Sequence, residues 1–422
     1  MRFRPLRFLI GVLFVTVPYT ALIGINENLE QLKTWRLIGA ALVVLAFSSC
    51  EWKAPPLAKA VCATLLLFDG YICLQPFFFE RAAESTDILF IGSIFIVTSL
   101  MLVSILLASN DRSFVLRCLT ASIVITCAYQ YWQIVAWRYL GESWVIVLND
   151  RNQVDLIGFF RLVADYFGAP GFMGESAQMA MFIGPGAGIL LLARHYKLYP
   201  TARTLMFIVV ASLIATLSIG GVIYLMMLLV IQISIVGSRN IATRKRIVWL
   251  GGIGFVTGSA IALSLVTPQL LEFFQSRWYD VSSGTSDRQL GAAAFYDLLQ
   301  VNPWFGYGFA SYRELSAQPS HFVTTLTDHG IIGAVLLITV WIVPLLFACW
   351  RSRYRLFAIP YLTSLIHMML AYGTFQWPGL WINLGLALFL MQSDRLPIRV
   401  SLLSREVESR DSYLPDSFRL PT

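Results

Sequence analysis

His321 stands at the start of an apolar run, where an imidazole is well placed for acid–base chemistry. With its ordinary pKa of ~6.5, a histidine can take a proton from a bound hydroxyl group near neutral pH. The same side chain could instead hydrogen-bond the carbonyl group of a neighbouring loop. His321 is therefore a candidate general base, with a structural role as the alternative.

Arg288 is a candidate for binding an anion. A capping-box pattern beginning at Ser286 and a proline stop predict a helix over about 287–301. Arg288 would lie in its first turn, where backbone N–H groups and the guanidinium could converge on a phosphate. The alternative is an ordinary exposed arginine that pairs with Asp280 or Asp287.

The composition shows what kind of fold must position these residues. The 422 residues are 57% hydrophobic and 13% charged, with a mean hydropathy of +0.69. This is about half the charge of a soluble domain and indicates a membrane protein. In such a protein a net charge of +7 is typical of basic cytoplasmic loops, so we expect no nucleic-acid partner.

Twelve apolar segments are long enough, or nearly so, to cross a hydrocarbon core of ~30 Å. The seventh and eighth are separated in the sequence only by Gly220-Gly221. The predicted spans are about 8–25, 36–50, 58–79, 88–109, 114–136, 176–193, 204–219, 221–237, 247–267, 323–350, 356–372 and 377–393.

The distribution of Lys and Arg predicts that both termini are cytoplasmic, because most of the 31 basic residues then fall on the inner side. The first apolar run is expected to be an uncleaved helix, since no clear signal-peptidase site follows it. The basic residues left outside are Lys33, Arg36, Arg81, Arg138, Arg151, Arg161, Arg277, Arg288 and Arg313.

Two long external segments, 137–175 and 268–322, are expected to fold over the outer face and form a site there. They are too rich in aromatic residues and leucine for disorder. The whole chain, 1–422, is predicted to be one integral membrane domain, and 394–422 its cytoplasmic tail.

Asp69 and His367 are two further candidates that lie within the predicted spans. Asp69 is a functional candidate because a carboxylate is costly in mid-span, although a buried hydrogen bond between helices explains it as well. His367 lies near the outer end of the eleventh span and could line the same cavity as His321. His329, about two turns deeper than His321, is expected to be structural.

Two motifs near the C-terminus carry a family resemblance. The run NPWFGYGF at 302–309, followed by SHFVTTLTDHGIIG at 320–333, resembles the signature of the O-antigen ligase and O-antigen polymerase superfamily. Its usual form is an NPxxGxGxG-like turn and then HNxxLxxxxxxGxxG. Here Phe322 replaces the common asparagine. The twelve spans and the long loop between the ninth and tenth are similar to that family as well.

A second motif, GFMGESAQMAMF, resembles the GxFxEPSxxA element of polysaccharide polymerases, with the proline missing. Glu175 within it could orient a sugar hydroxyl or pair with an arginine, or could simply be a favourable first-turn residue. Arg161 lies in a tract that resembles the arginine-bearing loop of these enzymes.

The resemblance implies an all-α, GT-C-like fold with about twelve transmembrane helices and a partly helical loop between helices 9 and 10. It implies an enzyme of the bacterial inner membrane with a periplasmic active site. The donor would be an oligosaccharide on undecaprenyl pyrophosphate, and the acceptor a glycan or lipid A-core. Membrane lipids are expected contacts, and a chain-length regulator is allowed as a partner.

No cofactor or metal is expected. The sequence has no Walker or Rossmann glycine loop, no external DxD-like carboxylate pair, and no CxxC or Cys/His cluster among its six cysteines. The implied reaction is inverting glycosyl transfer. His321 would be the general base, while Arg288, Arg313 and Arg161 would stabilise the departing pyrophosphate.

Three functions are compatible with these residues and motifs. The GES element favours a polymerase that joins lipid-linked repeat units of an exopolysaccharide or O-antigen. A ligase that transfers the glycan to lipid A-core is the close alternative. A transporter or flippase of lipid-linked sugars is the alternative from another class, although no internal repeat of the kind typical of transporters is visible in the sequence.

Overall fold

The computed structural model describes residues 4–19, 34–51, 53–78, 85–140, 169, 171–173, 176–216, 218–237, 302–308, 321–351, 353–370 and 377–393. Within these ranges 86% of the residues are α-helical and no β-strand occurs. The all-α part of the predicted fold class is therefore confirmed.

The helices of the described ranges are numbered in chain order. They are α1 Arg4–Thr16, α2 Thr34–Ser49, α3 Pro56–Phe78, α4 Ser85–Leu140, α5 Ser176–His195, α6 Arg203–Ala215, α7 Ile219–Gly237, α8 His321–Arg351, α9 Ala358–Leu370 and α10 Pro378–Met391. A 3₁₀ turn at Arg355–Phe357 leads into α9.

α4 consists of two helices that meet at Asp111. The backbone there is not helical (φ −149°, ψ 88°). The Asp111 carboxylate accepts a hydrogen bond from the backbone N–H of Phe114 at 2.9 Å, which is the N-cap arrangement that starts a helix. The two halves correspond to the predicted spans 88–109 and 114–136.

The second half of α4 runs parallel to α1. Arg7, near the start of α1, forms an ion pair with Asp111. Further along both helices, the Ser122 hydroxyl donates to the carbonyl oxygen of Val15 at 3.0 Å. These contacts fix the start of α1 beside the break in α4.

The first half of α4 runs parallel to α2. Gly39 lies against Ile96, and the backbone N–H of Glu51, just after α2, donates to the side chain of Asn110 at 3.3 Å. The start of α1 and the end of α2 therefore both lie at the break. Because α1 and α2 run in opposite directions, the two halves of α4 are antiparallel.

α10 and α5 complete the same arrangement. Gly385 of α10 packs against Ser104, and the end of α10 lies beside the start of α3, where the Ala58 N–H donates to Gln392 at 3.3 Å. α5 lies alongside α10, and the residues after it reach the 353–357 turn through an edge contact between Tyr196 and Tyr354.

Most basic residues of the described ranges lie at this one end of the bundle, whereas Arg36 at the start of α2 and Arg138 near the end of α4 lie at the other. We call the first the basic end, and the other the opposite end. The residues that define the basic end are Arg7, Lys53, Lys59, Arg112, Arg117, Arg194, Lys197, Arg203, Arg353 and Arg355.

The bundle has an apolar core and also an apolar outer surface. Large apolar side chains such as Phe8, Val44 and Phe207 are exposed on its helices, while glutamines, threonines and histidines are buried among the core residues. In a soluble protein, by contrast, glutamine and threonine side chains are mostly exposed. The apolar outer surface suits contact with lipid tails.

Four helical stretches of the described chain are long and apolar enough to cross a membrane. They are Pro56–Gln75, Ile94–Ala136, Ser176–His195 and Thr324–Trp350. Each predicted span except 247–267, which lies outside the described residues, coincides with or overlaps a helix. The count of twelve spans stays a prediction.

The expected break at Gly220-Gly221 was wrong. Both glycines lie inside α7, and the break falls between Ala215, where α6 ends, and Ile219, where α7 begins. The Ser218 hydroxyl accepts a hydrogen bond from the Gly221 N–H at 3.0 Å and so caps the start of α7.

The predicted external segments fall mostly outside the description. Of 137–175, the structure describes residues 137–140, 169 and 171–173; of 268–322, it describes 302–308 and 321–322. The tail 394–422 lies outside it. The role of these segments stays a prediction.

We expect the two ends of the bundle to face opposite sides of the membrane. In spheroplasts, a membrane-impermeant maleimide should label Trp304→Cys at the opposite end without permeabilisation. Lys197→Cys at the basic end should react only after permeabilisation. The background would lack the exposed thiols Cys73 and Cys349. Equal labelling of both sites before permeabilisation would contradict this topology.

Candidate functional site

Helix α8 is interrupted at Gly330, where the backbone adopts φ 63° and ψ −167°. A short helical segment, 321–329, therefore precedes a longer one. At 1.5 Å per residue the longer segment measures about 30 Å, enough to cross a membrane. An interrupted helix leaves backbone N–H and C=O groups without helical partners, and these are costly in apolar surroundings.

The turn formed by residues 302–308 supplies partners for these groups. Two of its N–H groups donate to carbonyl groups of the short segment, and two of its carbonyl groups accept from N–H groups just after Gly330. We call these four hydrogen bonds the backbone interlock. They join Tyr307 N to Thr327 O (2.9 Å), Gly308 N to Asp328 O (3.1 Å), Ile331 N to Pro303 O (2.9 Å) and Ile332 N to Trp304 O (3.2 Å).

Two glycines make this close approach possible. A Cβ atom on Gly330 would lie 2.4 Å from the carbonyl oxygen of Trp304, and one on Gly306 would lie 2.6 Å from the nitrogen of Gly330. Both glycines also have positive φ angles, 63° and 71°. Any other residue at either position would meet both a steric clash and an unfavourable backbone conformation.

Two side chains of α3 hold the interlock from the side, and we call Tyr71 and Gln75 the polar clasp. The Tyr71 hydroxyl lies 3.2 Å from the Phe305 carbonyl oxygen and 3.0 Å from that of His329. The Gln75 Nε2 group donates to the carbonyl oxygens of Phe305 (3.0 Å) and Asp328 (3.1 Å). The clasp thus contacts the turn and the interrupted helix together.

His329 completes the clasp. Because the Gln75 Nε2 group donates to two carbonyl oxygens, its Oε1 atom is free to accept from His329 Nδ1, which lies 2.6 Å away. His329 is only 1% exposed, and its ring meets the edge of Phe68 with centroids 5.7 Å apart. These contacts agree with the structural role expected for His329.

The short segment of α8 is polar and buried. Its residues Thr324, Thr325, Thr327 and Asp328 are all buried, and each has at least one interaction with its surroundings. Buried polar groups need partners, and these side chains have them.

The structure describes few of the predicted catalytic and substrate-binding residues. His321 is the first residue of α8, nine positions before Gly330, and its side chain lies outside the description. Arg288, Arg313, Arg161 and Glu175 lie outside the described residues. The convergence of these side chains stays a prediction.

The chain that leads into Glu175 is firmly anchored. Gly171 exchanges two hydrogen bonds with the Gln133 side chain, at 2.8 and 3.1 Å. The Phe172 ring is stacked on Tyr129 at 4.0 Å and lies 4.6 Å from Tyr19 on its other side. The start of the GFMGES motif is thereby fixed to α4 and to the residues after α1.

His367 is buried between α9 and α7. Its Nδ1 atom lies 2.9 Å from the Tyr224 hydroxyl, and its ring packs against Gly220. A Cβ atom at Gly220 would lie 2.6 Å from the imidazole, so the glycine makes room for the histidine. These contacts join two helices, and a role in binding substrate stays a prediction.

Asp69 forms the interhelical hydrogen bond that was one of its two explanations. The Thr98 hydroxyl of α4 lies 2.6 Å from Asp69 Oδ2. The residue is 2% exposed, and its Oδ1 atom has no hydrogen-bond partner within the described ranges. The contact therefore ties α3 to α4 close to the clasp.

No group of three or more His, Cys, Asp or Glu side chains in the described ranges is arranged to hold a metal ion. The six cysteines are free thiols.

The chain matches no protein-family model, and a search of curated proteins finds no match either.

Replacing Gly330 by alanine is expected to lower the free energy of unfolding by at least ~2 kcal/mol, because strain and clash add. Gly306→Ala should do the same. The matched control is Gly70→Ala in α3, where a Cβ atom would meet nothing within 4 Å and helix propensity should improve. Unfolding followed by circular dichroism in detergent measures all three; a Gly330→Ala variant as stable as the parent would contradict the interlock.

Gln75 and His329 are expected to be energetically coupled. Gln75→Leu and His329→Leu should each cost ~1–3 kcal/mol, because each leaves buried polar groups unpaired. The double variant should cost less than the sum, with a coupling of ~0.5–3 kcal/mol. As the control, exposed Leu74→Ala should combine additively with His329→Leu. Additive behaviour of the Gln75 and His329 variants would rule out the clasp.

Proposed function

We propose that this protein is a metal-independent glycosyltransferase of the O-antigen ligase and polymerase superfamily that joins lipid-linked glycan units. The observation that carries the proposal is the backbone interlock. The two motifs on which the resemblance depends, 302–308 and the GIIG region of α8, are bound directly to each other. Residues that resemble a family signature thus form one structural unit.

The interlock suggests a physical reason for the residues of the signature. It fixes the helical segment that begins at His321 against the turn and against α3, at the opposite end of the bundle. A general base must be held within hydrogen-bonding reach of the proton that it removes. A rigid support for this segment therefore suits the role proposed for His321.

In the proposed reaction, the acceptor hydroxyl attacks the anomeric carbon of the donor sugar from the side opposite the pyrophosphate. The bond from that carbon to the pyrophosphate oxygen breaks, and the configuration inverts. His321 takes the hydroxyl proton. Arg288, Arg313 and Arg161 stabilise the negative charge that grows on the undecaprenyl pyrophosphate, and Glu175 and His367 contact the sugars.

The basic end is proposed to face the cytoplasm, because Lys and Arg concentrate in cytoplasmic loops. The interlock and the start of α8 then face the periplasm, where lipid-linked repeat units are joined. This orientation gives both termini a cytoplasmic location and makes the protein a multi-pass component of the bacterial inner membrane.

The product of a deletion strain separates the polymerase from the ligase. Loss of a polymerase should leave lipid A-core that carries a single repeat unit. Loss of a ligase should leave full-length polymer on the lipid carrier. We expect the first result, because the GFMGES element is similar to the polymerase form.

His321→Ala is expected to lower the rate of glycan transfer about a hundredfold, equivalent to roughly 3 kcal/mol of transition-state stabilisation. The measurement is transfer by purified variants that reach the parental level in the membrane. Val335→Ala is the control on the same helix, where an exposed apolar side chain is shortened and activity should persist. Undiminished transfer by His321→Ala would eliminate His321 as the general base.

A further inference from the structure

A cleft of about 610 Å³ opens at the basic end between α5, α6 and α7. Clefts that bind small molecules commonly measure roughly 300–1,000 Å³. This cleft lies far along the bundle from the interlock, and the glycosyl transfer proposed above makes no use of it.

Three cations border the cleft: Arg194, Lys197 and Arg203. Among the described residues, no acidic side chain lines the cleft and none of the three cations forms an ion pair. Arg7 at the same end, by contrast, pairs with Asp111. The cleft therefore carries positive charge that the described part of the protein leaves uncompensated.

Local structure accounts for only one of these cations. Arg194 lies in the last turn of α5, where the helix dipole favours positive charge. Lys197 has a φ of 57°, a conformation that favours glycine, and Arg203 is the first residue of α6, where the dipole disfavours a cation. Neither the backbone conformation of Lys197 nor the helix position of Arg203 therefore favours these residue types.

The rest of the cleft wall is mostly apolar. It includes Leu191, Met206, Val210 and Ile235, together with Phe207, whose side chain is 75% exposed. Phe207 and Val210 are exposed at the surface of the bundle, whereas Leu191 and Ile235 are buried. A ligand with an anionic head and an apolar tail would match both parts of the cleft.

The sequence adds further positive charge next to α7. The helix ends at Gly237, and four basic residues follow within nine positions: Arg239, Arg244, Lys245 and Arg246. Clusters of this kind beside a membrane helix attract anionic lipids.

We infer that this cleft binds an anionic phospholipid of the surrounding bilayer. The phosphate contacts Arg194, Lys197 and Arg203, and an acyl chain lies along the wall formed by Met206, Phe207 and Val210. The bound lipid ties α5, α6 and α7 together at the membrane surface, whatever reaction the opposite end carries out.

Binding of phosphatidylglycerol and phosphatidylcholine with identical acyl chains tests this site by native mass spectrometry of the full-length, delipidated protein. Each of the three cations should raise the affinity for the anionic lipid about fivefold. Phosphatidylglycerol should therefore bind on the order of a hundredfold more tightly than phosphatidylcholine. Arg194→Gln/Lys197→Gln/Arg203→Gln should lose this preference. Lys197→Gln alone, outside the helices, should lose about fivefold, which gives a readout even if the triple variant misfolds.

The matched control is Lys59→Gln/Arg117→Gln/Arg355→Gln, which removes the same charge from exposed sites at the same end. This control variant should keep the preference for phosphatidylglycerol. An equal loss of preference in the control would show that the lipid is held by diffuse electrostatic attraction and not at the cleft. Glycerol phosphate, which has the head but no tail, should not displace the lipid. Displacement by it, or equal binding of the two lipids to the parent protein, would overturn the inference.

Discussion

Backbone N–H and C=O groups in an apolar environment must be hydrogen-bonded. The break in α8 at Gly330 leaves such groups without partners inside the helix. The turn at 302–308 meets this requirement with four backbone hydrogen bonds, and Gln75 adds two more from its amide. Neither the turn nor the short helix could keep its position without the other. The backbone interlock thus fixes the position of the helical segment that begins at His321, several residues before Gly330.

The same physics shapes the rest of the bundle. Polar side chains face inward and join helices in pairs, as Asp69 does with Thr98 and His367 with Tyr224. Apolar side chains fill the interior around these pairs and also cover the outer surface. Because lipid tails give no hydrophobic drive for helices to associate, such interhelical hydrogen bonds and close glycine contacts are the means by which membrane helices recognise one another.

Apolar run length was enough to predict the helices of the described ranges, and the two motifs that carry the family resemblance contain Gly306 and Gly330. The pairing of those motifs with α3 could not be predicted, since Gln75 and Asp328 are 253 positions apart and nothing in the local pattern joins them. The predicted break at Gly220-Gly221 was wrong for a related reason, because the role of Gly220 depends on a residue far along the chain. The pair looked like a break, but Gly220 makes room for the ring of His367. The sequence alone supports the roles predicted for Arg288, Arg313, Arg161 and Glu175.

Formation of a glycosidic bond at the end of the bundle that carries the interlock is the activity on which the proposed function depends. Purified protein in liposomes, supplied with an undecaprenyl-pyrophosphate-linked oligosaccharide and a metal chelator, tests it most directly. We expect glycans of two or more repeat units together with released undecaprenyl pyrophosphate. Movement of intact lipid-linked units across the bilayer, with no new glycosidic bond, would contradict this function and indicate a transporter.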